Sequence, residues 1–398
     1  MKANLWLILA ISLLFGVSAG AYEFVLPLFL RAQQVSYTNL GVIFAIAGLA
    51  MVLARIYMGG LADRLGRKVL YGWALGICGV VTGLTPIMPG QVLQAILKTF
   101  RDTAALTRET LYPVVLYEEQ QSGFLNLIGK FRGLEYLLQA GGTLLAGIII
   151  AALANPLAGY RVSLYLAGGT LLIAALLWFA LFAEHFRPAP QQVISLRELF
   201  SIDLHPNLLL LAISGIIFTF GLQISHSFYL PLFFTERFGA SGAVVSIIMV
   251  IHRLTIALPL LIVGNLPLKN LRAWYVGAML VEGVTMGASA LIPHFWTSAG
   301  IFLLHDFIGA GIWSPIQATL IQRYSRDARR GLEVGKVLAW SSIGSIAGPL
   351  AAGALAASNP VLPFFTSGLF MALSAVPLCW LKLHDLATTP DSAVAVEA

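Results

Sequence analysis

Charge is what this chain has least of. Only 11% of its 398 residues are charged, against about 25% in an ordinary soluble domain. A soluble protein so poor in polar side chains lacks the material to cover its own surface. Composition therefore excludes an ordinary water-soluble globule and makes the bilayer the natural solvent. Cysteine is nearly absent too. Cys78 and Cys379 stand far apart inside apolar runs, which excludes a disulfide framework, a redox motif and a cysteine metal site. They read as buried apolar thiols. The net charge of +6 comes without a basic run interleaved with aromatics, so no nucleic-acid partner is expected. No metal-ligand spacing, phosphate loop or nucleophile elbow is present, so neither enzyme activity, a metal nor a cofactor is expected. No loop is long enough to hold a nucleotide-binding domain, which excludes a primary pump.

What is abundant is apolar: 58% of residues are hydrophobic. Divided into runs of about 20 residues, the length of one bilayer crossing, the chain holds about twelve spans. They fall at 4–30, 38–59, 69–88, 91–112, 130–153 and 160–182, then 207–233, 242–264, 272–292, 296–322, 334–357 and 360–381. The expected fold is an all-α membrane protein of two six-helix halves. Residues 1–183 form the first half, 184–206 a linker, 207–383 the second half and 384–398 a tail. Ser18-Ala19-Gly20-Ala21 resembles a signal-peptidase site, but the apolar run continues through Leu30, so a retained first span is expected. In the linker, Ser195 and Glu198 have capping-box spacing, and Leu196, Leu199 and Phe200 form an apolar face. A short amphipathic helix on the membrane surface and a plain linker both fit.

The halves repeat each other. Phe15-Gly16 and Leu26-Pro27-Leu28-Phe29 of span one reappear as Phe220-Gly221 and Leu230-Pro231-Leu232-Phe233 of span seven. Phe100-Arg101-Asp102 with Gly129-Lys130 is matched by Leu304-His305-Asp306 with Gly335-Lys336. Basic residues set the orientation. With the N-terminus in the cytoplasm, sixteen of the 24 Lys and Arg fall inside, and only Arg31, Arg161 and Arg237 fall outside. Both termini and the linker are therefore expected in the cytoplasm, in a bacterial inner membrane, and the chain is expected to act as a monomer.

Between spans two and three stands Gly59-Gly60-Leu61-Ala62-Asp63-Arg64-Leu65-Gly66-Arg67-Lys68. Its glycines permit a tight turn between closely packed helices. Asp63 can act at a helix N-terminus, and the cations suit anionic lipid headgroups. The segment resembles the signature loop of the major facilitator superfamily. That resemblance implies a cytoplasmic gate made of Gly59, Asp63, Arg64, Gly66, Arg67 and Lys68, joined by an acid of span four, Glu109 or Glu118. The corresponding loop of the second half, Gly264 to Asn270, lacks the acid and the second glycine, so only the first copy is expected to gate.

An ionisable side chain at mid-bilayer costs about 3 kcal/mol or more, so each calls for a role. The first half offers Glu23, Arg55, Lys98, Arg101 and Asp102; the second offers His226, His252, Arg253, Glu282, His305 and Asp306. Glu23 precedes Pro27 by four residues, and Arg101 lies near the middle of span four. This pair resembles the drug–proton antiporter branch of the superfamily. The branch's glycine-proline signature is absent from span five, which reads Gln139-Ala140-Gly141-Gly142. The resemblance implies that Glu23 carries the proton with Arg101 as its electrostatic partner, since burial raises a carboxyl pKa and an arginine lowers it. Asp102 competes for the role, or pairs with Lys98 on the same helix face. Arg253 needs an acid, for which Glu282 and Asp306 stand ready. The expected substrate cavity comprises Tyr22, Gln139, His226, Arg253, His305 and Asp306. The expected function is proton-coupled secondary transport of a small organic molecule by alternating access, as an exporter. Its partners would be the substrate, protons and membrane lipids. Alternatives are a proton symporter for a sugar or organic anion and a lipid flippase on the same fold.

Overall fold

The computed structural model describes residues 2–120, 124–184, 203–262, 270–326 and 330–382. The amphipathic segment around Ser195 and the tail lie outside these residues, as do the side chains of Gly59, Asp63 and Arg64. The first half consists of α1 (Lys2–Ala32), α2 (Tyr37–Leu65), α3 (Arg67–Leu84), α4 (Gln91–Glu119), α5 (Phe124–Ala152) and α6 (Pro156–Leu181). The second half consists of α7 (Pro206–His226), α8 (Tyr229–Phe238), α9 (Gly242–Ile262), α10 (Leu271–Leu291), α11 (Phe295–His305), α12 (Gly311–Tyr324), α13 (Arg330–Ser341), α14 (Gly344–Ser358), α15 (Leu362–Leu373) and α16 (Ala375–Leu378). These make twelve spans, because α7–α8, α11–α12, α13–α14 and α15–α16 are each one span with an interruption. Helix is the expected solution, since a lipid-facing segment must satisfy its own backbone polar groups. Among the described residues, seven helical stretches are long and apolar enough to cross a bilayer, the one at 333–358 running across the break between α13 and α14. The others are interrupted or, like α4 with Lys98, Arg101, Asp102, Arg108 and Glu109, carry charge.

The outer surface is apolar, with Leu176, Ile173 and Val80 facing outward. Exposed Trp6, Trp73, Trp296 and Trp380 stand near helix ends, where amphipathic rings favour the headgroup level.

The halves repeat in three dimensions as well as in sequence. In the first half, the Asn4 amide donates to Ala183 O at 2.8 Å and accepts from Ala183 N–H at 3.3 Å. In the second, Asn207 does the same with Lys382, at 2.9 and 3.2 Å. Each asparagine ties the start of its half to the end. The third and sixth spans cross where a Cβ on Gly168 would strike the backbone of Gly79 and Gly83. The ninth and twelfth cross in the same way at Gly368, against Gly283 and Gly287.

The halves meet at the end of the bundle opposite the termini. There Arg31 pairs with Glu236 at 3.3 Å, Tyr37 packs edge-on against Tyr229, and Phe44 lies against Phe228. Spans two and eleven touch backbone to backbone: a Cβ at Gly41 or Gly48 would come within 2.5 Å of the Pro349 or Ser345 carbonyl oxygen.

Four interruptions depart from the continuous spans expected from hydropathy. Span seven breaks at Ser227-Phe228, span ten contains a π turn over Asp306–Ala310, and spans eleven and twelve pause near Ser342-Ile343 and Ser374. All four lie in the second half. Hydropathy averaged over a span does not register them, because it reports apolarity and not backbone hydrogen-bond pattern.

Candidate functional site

A cavity of about 430 Å³ lies between the halves. Its walls come from spans one, two, four and five on one side and seven, eight and eleven on the other. It extends from Leu230 and Pro231, near the closed end, toward Met51, Ala105 and Glu109. Phe24, Phe44, Phe228, Met51 and Met249 supply apolar surface, and a small set of charged groups interrupts it. That mixture is typical of ligand pockets, whose volumes run from about 300 to 1,000 Å³.

The charges pair in a definite order. Asp102 sits between two cations of its own helix: Lys98 Nζ lies 2.5 Å from Oδ2 and Arg101 Nη1 3.2 Å from Oδ1. The i, i+4 spacing puts Lys98 and Asp102 on one helix face. The Arg101 guanidinium also lies 4.0 Å from the Tyr22 ring centroid, and the Lys98 ammonium 3.9 Å from that of Phe44. These cation–π contacts partly replace lost hydration. Glu23 forms no ion pair with Arg101. Its carboxylate pairs with Arg253, a residue of span eight in the other half. Arg253 therefore takes its acid from across the cavity, and not from Glu282 or Asp306 as expected. Helical periodicity constrains contacts within a half; it says nothing of which faces the two halves present to each other.

Of the expected cavity residues, Tyr22, His226 and Arg253 line the space. Gln139 does not: it is buried behind span one, where its backbone meets Gly20. His305 and Asp306 are also buried, behind the wall formed by His226 and His252. Asp306 contacts His252, and His305 Nε2 lies 3.4 Å from Asp306 Oδ1 and 3.4 Å from His226 Nε2. His252 was visible in the sequence as an intramembrane ionisable residue, yet nothing in its spacing tied it to His305 and Asp306. Glu282 is buried, and its Oε2 has no hydrogen-bond partner among the described residues.

At the other end of the cavity, Glu109 is held by Arg108 and Arg132, each at 2.5 Å. Of the two acids considered for the gate, Glu118 is the one at Arg67, with Nε 3.2 Å from Oε1. Gly66, at φ 87, turns the chain into α3 in a conformation that suits glycine. The first amides of α3 are then capped by Glu184, which accepts from Arg67 N–H at 2.5 Å and Lys68 N–H at 3.2 Å. This carboxylate satisfies orphan donors and faces the positive end of the helix dipole. No local pattern marks this cap, because Glu184 stands 117 residues from Arg67.

The family model described as Major Facilitator Superfamily matches residues 211–396. The chain is 24% identical over 373 residues to "Multidrug resistance protein MdtG" of Klebsiella pneumoniae (strain 342), covering 86% of this chain and 85% of that one. It is likewise 24% identical over 372 residues to the protein of that name from Salmonella arizonae, with 86% of each chain covered. Among solved structures, a variant of the nucleoside transporter NupG superposes with a TM-score of 0.77 at 16% identity, over 94% of this chain and 98% of that one. A bacterial homolog of the human lysosomal transporter Spinster superposes at 0.68 and 14% identity, over 94% of each. At these identities the structural likeness establishes the fold.

Proposed function

We propose that this chain is a transporter of the Major Facilitator Superfamily that exports a small organic molecule in exchange for protons. The observation that carries this reading is the Glu23–Arg253 pair, which joins the two halves across the central cavity. Alternating access in this architecture is a rocking of one half against the other around a fixed site. A carboxylate paired with a cation of the opposite half resists that motion, and a protonated one does not. The pair is partly exposed to the cavity, so its Coulomb attraction lies between that of a surface pair and that of a buried one. Proton binding at Glu23 would therefore release the halves, and proton loss would draw them together.

The cavity volume supports a drug-sized or nucleoside-sized cargo over a two-chain lipid. Tyr22, Arg101 and Asp102 would receive its polar part and the phenylalanines its apolar part. The name of the sequence relatives, multidrug resistance protein, supports export. The basic asymmetry supports termini in the cytoplasm, which would make the closed end the outer one and this conformation inward-facing. At the signature loop, Arg67 pairs within its own half with Glu118. Asp63 and Arg64 would complete the seal when the cytoplasmic side closes.

The test is proton movement on substrate addition. Proteoliposomes holding a pH-sensitive dye are challenged with amphiphilic drugs and nucleosides. Antiport gives proton flux opposite to the compound. Flux in the same direction, or uptake with no proton movement, would sink the reading.

A further inference from the structure

We propose that His226, His252, His305 and Asp306 form a binding site for one transition-metal dication of the zinc class, set in the second-half wall of the cavity. The four residues come from spans seven, eight and ten. Donor atoms of His252, His305 and Asp306 lie within 4.8 Å of one another, and the three imidazole centroids are 5.4 to 5.7 Å apart. The site is built, not incidental. His305 places Nδ1 on the Phe302 carbonyl, so Nδ1 carries the proton and Nε2 presents a lone pair to the cluster. His226 places Nδ1 2.7 Å from Ser225 Oγ, which itself contacts Ser367 Oγ at 2.8 Å. The Nε2 of His226 is thereby also aimed inward. A metal-bound histidine characteristically has its second nitrogen held by a carbonyl or polar side chain in this way.

Two further observations suit a cation ligand set. His252 Nδ1 and Asp306 Oδ2 face each other directly, and among the described residues neither atom has a further hydrogen-bond partner. Local backbone geometry serves the same end. A π turn begins at Asp306, and α7 ends at His226. The wider turn re-aims Asp306, and such turns recur at functional sites. Three imidazoles and one carboxylate suit zinc, cobalt or nickel, whereas magnesium and calcium prefer oxygen. His226 and His252 line the cavity, so an ion reaches the site from there. Arg253, next in sequence to His252, is turned to Glu23, which offsets its charge. The site is separate from the Glu23 pair, and its test requires no transport.

Full-length protein carrying no histidine tag is purified in detergent, stripped with chelator and titrated with cobalt(II) chloride. Expected are the intense visible bands of a tetrahedral site, saturating at one ion per chain and lost when zinc chloride is added. His252→Gln with His305→Gln should remove the bands while circular dichroism shows the helices intact. Ser225→Ala keeps every ligand and should weaken cobalt binding by about 10–100-fold, as loss of a supporting hydrogen bond does. His294→Ala, at an exposed histidine, should change nothing. Absence of bands in folded wild-type protein would overturn the proposal. So would cobalt binding unchanged in Ser225→Ala, or retained in a folded double variant.

Discussion

Arg108 has no exposed surface, and everything around it is arranged to hold a charge. Its guanidinium meets Glu135 at 3.0 and 2.8 Å, Ser12 Oγ at 3.0 Å and the Tyr71 hydroxyl at 3.0 Å. The rings of Phe15 and Tyr112 flank it at 4.2 and 4.4 Å. These partners come from spans one, three, four and five, so one side chain ties together most of the first half. Breaking a buried pair by removing one member costs about 3–5 kcal/mol, and Glu109, the other carboxylate at Arg108, offsets only part of the loss because it is shared with Arg132. Glu135→Leu should therefore lower the melting temperature in detergent sharply, and Arg108→Met with Glu135→Leu should recover most of the loss. Equal melting of the single variant and wild type would contradict this role. At this scale the sequence was informative about residues and less so about pairs. An ionisable side chain in an apolar run marks itself, which is how Glu23, Arg101, Asp102 and Arg253 stood out. The Lys98–Asp102 pair was legible from i, i+4 spacing. Glu23–Arg253 was not, because 230 residues separate its members and their meeting depends on how the halves pack.

At the scale of elements, apolar run length sufficed to place the spans, while the interruptions and the close crossings needed coordinates. Glycine is the residue that spans two and eleven require at their contact, since Gly48 approaches the Ser345 carbonyl and Gly41 that of Pro349. Gly48→Leu would put a branched side chain where no space exists and should wedge the closed end apart. Spin labels at the closed-end termini of spans two and eleven would report it as a longer distance in double electron–electron resonance. An unchanged distance in a folded variant would show that this contact does not hold that end closed. The Asn4 and Asn207 clasps were equally hidden. An asparagine at a helix start reads as a cap, yet here each one fastens a half into a closed unit.

At the scale of the whole molecule, two matching halves enclose one cavity, and the pair that spans it is Glu23 with Arg253. The repeat itself was legible from Leu26-Pro27 and Leu230-Pro231, because equal folds place proline and glycine at equal positions. The measurement that bears most directly on coupling compares wild type with Glu23→Gln, Asp102→Asn and Asp306→Asn in proteoliposomes, each assayed for transport driven by a pH gradient and for exchange without one. Glu23→Gln mimics the protonated acid. It should lose gradient-driven transport and keep exchange, while the two asparagine variants respond to the gradient. If Glu23→Gln transports like wild type and Asp306→Asn is inactive, the proton site lies in the second half and the Glu23–Arg253 pair does not couple transport.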